Sequence, residues 1–198
     1  LLPQSEGVID AAPHKIQISL HSQEGNGKVN PEAYIAGVME FAQKAATQGV
    51  IVVLRLWNQG GYESNNQMLL DEIARYQPRP WTERYDGWKL AENLYVEYDR
   101  MFEWPDEAHD EWDGEDVFCY ALRNQVGVLV DGSVVPCCLD HDGSIVLGNL
   151  FEQPLGEILV SPRAKALYDG FTAHKAVEPL CRRCGYAIDT KQYRKKDV

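Results

Sequence analysis

The chain has 198 residues, of which 44% are hydrophobic and 25% are charged, as is ordinary for a soluble globular protein with one sizeable core or two small ones. No stretch approaches the roughly 18 uninterrupted apolar residues of a membrane-spanning helix, so no membrane partner is predicted. A formal net charge of −11 argues against nucleic-acid binding, because a nucleic-acid-binding protein needs a basic surface to neutralise phosphates.

The beginning of the chain, "LLPQSEGVID", lacks an initiator Met and the basic and apolar regions of a signal peptide. We therefore expect the sequence to be part of a longer protein. The five cysteines are an odd number without a secretory signal, which favours a reducing compartment and a metal or catalytic role over disulfides. These features predict a cytoplasmic protein.

The first predicted unit is a strand–helix–strand over residues 14–58. In "HKIQISLHS" apolar and polar residues alternate, which places Ser19 and His21 on a polar face of the first strand. Strands of parallel sheets are usually apolar on both faces, so this polar face predicts a surface that lines a polar cavity.

A helix is predicted to follow, with Asn30 as N-cap, Pro31 at its first position and Gly49 at its end. Its predicted buried stripe is Tyr34, Val38, Phe41 and Ala45. The next segment, "VIVVLRLWN", is apolar except for Arg55 and predicts a buried strand parallel to the first.

A second helix over Ser64–Tyr76 and a strand around "NLYVEYDR" continue the same alternation of strand and helix. Residues 1–103 thus predict two or three β/α units of a larger α/β barrel or open sheet. A closed barrel needs roughly 200–250 residues, so an open strand edge and a missing N-terminal barrel half are expected. The acidic residues 104–116 lack periodicity and are predicted to be a linker.

Residues 117–198 predict a second, smaller α+β domain. "VGVLVDGSVVPCC" is apolar β-sequence around Asp131-Gly132, a strong hairpin signal, and "GSIVLGN" is predicted as a third short strand. Two helices follow, "PLGEILV" and "SPRAKALYDGF", the second with Ser161 as N-cap and Pro162 at its first position.

Four cysteines have the spacing of a metal centre. Cys119 is followed by 12 residues, Gly132, four residues and Cys137, and after 43 intervening residues Cys181 and Cys184 form a C-x-x-C pair. Thiolates are soft ligands that suit zinc or an iron–sulfur cluster. Spacing alone leaves structural zinc open, and also buried thiols or a disulfide.

This pattern resembles the auxiliary-cluster domain of radical S-adenosylmethionine enzymes, called SPASM in its larger form and Twitch in its shortened, four-cysteine form. The resemblance rests on C-x12-G-x4-C, "DHDGSIVLGNL" and the terminal C-x-x-C, and covers about residues 117–187. It implies that one auxiliary [4Fe-4S] cluster is ligated by Cys119, Cys137, Cys181 and Cys184. Twitch is the closer match because no cysteines remain for a second cluster, and Cys138 is expected not to be a ligand.

Upstream, "IQISLHS" and "VVLRLW" resemble later strands of the partial barrel that binds S-adenosylmethionine in the same enzymes. The resemblance implies that Ser19, His21 and Arg55 lie at or near the ribose and the methionine carboxylate of this cofactor. Ligands of such folds do bind at the carboxyl ends of parallel strands. Alternatively, Arg55 pairs with a carboxylate and His21 is an ordinary strand-end histidine.

The C-x-x-x-C-x-x-C and Gly-Gly-Glu motifs of these enzymes are absent from the sequence. We therefore expect no cleavage of S-adenosylmethionine by this chain as given, whereas the parent protein would be a radical enzyme acting on a peptide or small-molecule substrate. The auxiliary cluster would transfer electrons or position substrate, and four-thiolate ligation favours electron transfer because it leaves no open iron site. The alternative function is a zinc-stabilised, non-catalytic binding module.

Overall fold

The structure is a computed structural model that describes residues 5–20, 30–61, 63–106, 108–110, 112 and 114–187. The chain divides into two compact units, Leu1–Met101 and Phe102–Val198, and each has its own hydrophobic core. Within the described residues, no helix is both long and apolar enough to cross a lipid bilayer.

The described part of the first unit is a five-stranded mixed sheet with helices, in the strand order β1-β2-β5-β4-β3. Its elements are α1 (Ser5–Asp10), β1 (Lys15–Ser19), α2 (Pro31–Thr47), β2 (Ile51–Gln59), α3 (Asn66–Tyr76), β3 (Thr82–Arg84), β4 (Gly87–Ala91) and β5 (Leu94–Arg100). Strands β1, β2 and β5 are parallel to one another. Strand β4 pairs antiparallel with β5, and β3 pairs antiparallel with β4. The predicted α/β fold and its parallel strand–helix–strand unit are confirmed.

Helix α2 begins and ends where its sequence predicts. The Asn30 side chain accepts a hydrogen bond of 2.9 Å from the Glu32 backbone N–H, and Gly49 has the positive φ of +87° that ends the helix. The buried residues of the helix are Ile35, Val38, Met39, Ala42, Ala45 and Ala46. Of the predicted stripe, Val38 and Ala45 are buried, whereas Tyr34 and Phe41 are only partly buried and flank the buried face.

The sequence prediction missed the β3–β4 hairpin within "WTERYDGWKLA". Its two-residue turn is Tyr85-Asp86, and Gly87, which follows at the start of β4, has φ +150°. A Cβ at Gly87 would overlap the backbone carbonyl oxygen of Val96 on β5, so glycine is required there. Trp81 and Trp88 pack edge to face with ring centroids 6.4 Å apart, and this pair belongs to the sheet edge.

The described part of the second unit contains a small antiparallel sheet in the order β6-β7-β8 and short helices. Its elements are β6 (Gly127–Val128), β7 (Ser133–Val135), β8 (Gly148–Asn149), α4 (Leu155–Leu159), α5 (Pro162–Thr172) and a 3₁₀ helix (Leu180–Arg183). The predicted hairpin is present: Gly132 has φ +84°, and the Asp131 carboxylate accepts a 3.0 Å hydrogen bond from the Ser133 N–H. The α+β character of this unit is confirmed.

Helices α4 and α5 complete the core of the second unit. The Ser161 side chain accepts a hydrogen bond of 3.3 Å from the Ala164 N–H, which confirms the predicted N-cap of α5. Leu167 and Phe171 of α5 are at most 1% exposed and belong to one cluster with Val134 of β7. This core is the surface on which the cysteine-bearing segments pack.

Candidate metal centre

Cys119 and Cys137 lie on either side of the hairpin and contact the core of the second unit. The Sγ atom of Cys119 accepts a hydrogen bond of 3.4 Å from the backbone N–H of Ala121. Burial raises the pKa of the Cys119 thiol, and it raises the pKa of Cys137 to about 12. Both cysteines are partly buried.

Cys181 and Cys184 are brought together by the 3₁₀ helix, which carries Cys181 in its first turn and ends just before Cys184. Burial is the largest cause that raises the pKa of Cys181 well above its ordinary value. The nearby thiols of Cys119, Cys137 and Cys184 raise it further.

All four predicted ligands contact the same hydrophobic core. Within the described ranges, however, no group of three or more His, Cys, Asp or Glu side chains is arranged so that it could hold a metal ion. Thiolates on one zinc ion lie only about 3.8 Å apart, as follows from Zn–S bonds of about 2.3 Å. Contact with a shared core and electrostatic interaction between thiols both occur over longer distances, so neither requires that arrangement. The structure thus gathers the four thiols without arranging them around a single ion.

Cys138 differs from its neighbour in exposure. Cys138 is exposed, whereas Cys137 is only partly exposed and packs against the core. The structure therefore separates the two cysteines by environment, and the ligand role of Cys137 stays a prediction.

A buried carboxylate fixes the loop that follows the cysteine pair. Asp140 is 2% exposed, and its carboxylate accepts hydrogen bonds of 2.8 Å each from the N–H groups of Ser144 and Ile145. Gly143 completes this loop with φ +73°. The sequence reasoning did not assign this role, although an Asp followed by a Gly-Ser pair is a signal for such a side-chain-to-backbone turn.

A bidentate ion pair supports the segment before Cys181. Nε and Nη2 of Arg163 on α5 donate to the two carboxylate oxygens of Glu178 at 2.7 and 2.9 Å, and Nη1 donates to the Val146 carbonyl at 3.1 Å. Glu178 raises the pKa of Arg163. No local sequence pattern predicts this ion pair, because the two residues are 15 positions apart.

Of the predicted cofactor-binding residues, Ser19 and Arg55 are neighbours and His21 lies outside the described residues. Ser19 and Arg55 are register partners on parallel strands, and Nη2 of Arg55 donates a 2.6 Å hydrogen bond to the Ser19 hydroxyl. The Arg55 guanidinium also lies 4.2 Å from the ring centre of Trp57. Glu97 is the register partner of Arg55 on β5, so the alternative of a carboxylate partner stays open.

Residues 119–185 match the family model of SPASM, the iron–sulfur cluster-binding domain. The match begins at Cys119 and ends one residue after Cys184. It confirms the resemblance to this domain over residues 119–185, which are less than half of the chain.

Among solved structures, the chain is similar to selenomethionine-labelled BtrN in an open conformation. The sequence identity is 18% and the TM-score is 0.39, over 91% of this chain and 75% of the other. No curated protein matches the sequence.

Proposed function

We propose that the second unit is the auxiliary-cluster domain of a radical S-adenosylmethionine enzyme. Its [4Fe-4S] cluster would be held by Cys119, Cys137, Cys181 and Cys184. The proposal is carried by the agreement between the family match and the packing of the four cysteines. The SPASM match extends from the first of these cysteines to just past the last, and the same four thiols pack on one core.

The donor set fits an iron–sulfur cluster. Four thiolates are the usual ligands of a [4Fe-4S] cluster, and all four are in contact with apolar residues that limit the access of water. The N–H of Ala121, which already donates to the Cys119 sulfur, would stabilise the thiolate form of that ligand. When bound, the cluster supplies one-electron transfer.

Electron transfer is the role that this ligand set favours. Four protein thiolates would occupy all four iron atoms and leave none open to a substrate. The residues of this chain would therefore hold the ligand sulfurs in place and exclude water, and they would not bring substrate to iron.

Anaerobic reconstitution of the chain with iron and sulfide, followed by a redox titration, tests the proposal. We expect a brown protein whose visible absorbance bleaches reversibly on one-electron reduction. A protein that takes up zinc instead, with no visible absorbance, would indicate the zinc-stabilised binding module.

We also propose that the first unit contributes to a cofactor site of the parent protein, which would be a cytoplasmic oxidoreductase or maturase of a peptide or small molecule. The support is the hydrogen-bonded pair of Ser19 and Arg55 on adjacent parallel strands. The edge of β1, which has no further strand among the described residues, is where the N-terminal barrel half would add. In the parent protein, Arg55→Gln should weaken S-adenosylmethionine binding measured by calorimetry, and Arg84→Gln on the exposed hairpin should not.

A further inference from the structure

The acidic segment after the first unit packs along the C-x-x-C loop. We call its described residues, 102–106, 108–110, 112 and 114–117, the strap. The Gly185 N–H donates to the Glu103 carbonyl at 3.1 Å, and the Trp112 N–H donates to the Arg182 carbonyl at 3.0 Å. The Nε of Arg183 donates to the His109 carbonyl at 2.8 Å. The strap is thus attached to residues between the two cysteines and directly after them.

The end of the strap is attached to the segment that leads into this loop. The Ala176 N–H donates to the Gly114 carbonyl at 2.8 Å, and Glu115 forms an antiparallel bridge and a 3.1 Å ion pair with Lys175. These contacts attach described residues of the strap to the chain on both sides of the C-x-x-C loop.

The closest contact is at Gly185, the residue after Cys184. A Cβ there would lie 2.5 Å from the carbonyl oxygen of Glu103 and 2.8 Å from its Cβ. Such distances are far below van der Waals contact, so only glycine lets the strap approach this closely. The loop backbone next to Cys184 is therefore held directly against the strap.

An aromatic cluster extends the strap to the other cysteine-bearing loop. Phe102 packs edge to face on Tyr186, with ring centroids 5.3 Å apart, and stacks on Trp104 at 6.4 Å. Trp104 in turn packs edge to face on His141, 5.6 Å away, in the loop that follows Cys137. The strap thus contacts both the C-x-x-C loop and the loop that follows Cys137.

We propose that the strap is a positioning element that holds the C-x-x-C loop in place for binding of the cluster. This inference rests on the proposed function, because it assumes that the cysteines are ligands. Outer contacts of this kind orient metal ligands, and their loss commonly weakens metal binding about 10–100-fold. By linkage, a bound cluster must also stabilise the strap against opening.

The test compares Gly185→Ala with Gly156→Ala in the full chain. Gly156 lies on α4 of the same unit, and a Cβ there meets no described atom within 4 Å, so the second variant controls for the added methyl group. After anaerobic reconstitution, iron loss to a chelator is followed by absorbance. We expect Gly185→Ala to lose iron about 10–100-fold faster than wild type, and Gly156→Ala to lose it at the wild-type rate.

A second pair of variants covers the case in which Gly185→Ala does not fold. Trp104 is 51% exposed, so Trp104→Ala should keep the fold, yet it removes the contact with His141. We expect faster iron loss from Trp104→Ala and partial rescue by Trp104→Phe. Iron loss at the wild-type rate from Trp104→Ala and from any folded Gly185→Ala protein would overturn the proposed positioning role of the strap.

Hydrogen exchange of the metal-free wild type separates the two proposals. The amides of Gly185 and Trp112, which donate across the strap contact, should be protected without a cluster. If wild type binds no cluster but these amides are protected, the proposed function fails and the strap remains only a structural contact. If wild type binds a cluster and these amides exchange freely in the metal-free protein, the proposed positioning role of the strap is wrong, whereas the proposed function holds.

Discussion

At the scale of single residues, the Cys137-Cys138 pair shows how neighbours in a chain take different environments. Side chains that follow one another on an extended segment point to opposite sides. The sequence therefore predicted a single ligand in the pair, and the structure places Cys137 against the core and leaves Cys138 exposed. The choice of Cys137 came from its spacing to Gly132 in the pattern that resembles SPASM, and its role as a ligand stays a prediction.

Replacing these two cysteines in turn tests the choice. Cys137→Ala removes one of four ligands and should abolish stable cluster binding, whereas Cys138→Ala should keep the iron content and absorbance of wild type. Iron per chain after anaerobic reconstitution is the measurement. A cluster lost in Cys138→Ala and kept in Cys137→Ala would reverse the assignment.

Asp140 is a residue whose role needed the structure. Its buried carboxylate satisfies two backbone N–H groups of the loop after the cysteine pair. Asp140→Ala should leave both groups without this acceptor and lower the free energy of unfolding of the second unit by about 2–3 kcal/mol, as measured by urea denaturation. Asp142→Ala, whose side chain is 79% exposed, is the control and should change it by less than about 0.5 kcal/mol.

At the scale of elements, prediction succeeded where the signal is local. The N-caps Asn30 and Ser161 and the turn at Gly132 are set by side chains within a few residues of the backbone groups that they contact. The β3–β4 hairpin was missed because its strands carry charged and aromatic residues without clean alternation. Tertiary contact with β5 completes that hairpin.

The hairpin gives a prediction for the first unit. Gly87→Ala would force a side chain into positive φ and into the carbonyl of Val96, so it should lower the free energy of unfolding by at least about 1–3 kcal/mol. Gly7→Ala on α1 is the matched control, because a Cβ there meets no described atom within 4 Å. Equal urea midpoints for Gly87→Ala and Gly7→Ala would contradict the requirement for glycine at the turn.

At the scale of the whole molecule, the chain is two compact units, and the match to the SPASM family model lies within the second. The candidate ligands could be proposed from the sequence because the C-x-x-C pair and the spacing of Cys119, Gly132 and Cys137 resemble the SPASM pattern. The elements that support them could not. Arg163 and Glu178 meet only through folding, and Glu103 and Gly185 are more than 80 residues apart in sequence but touch along their backbones.

The metal and sulfide content of the full chain after anaerobic reconstitution tests the central claim most directly. We predict about four iron atoms and about four inorganic sulfides per chain, with no zinc, because four thiolates hold one [4Fe-4S] cluster. One zinc per chain with neither iron nor sulfide would contradict the account.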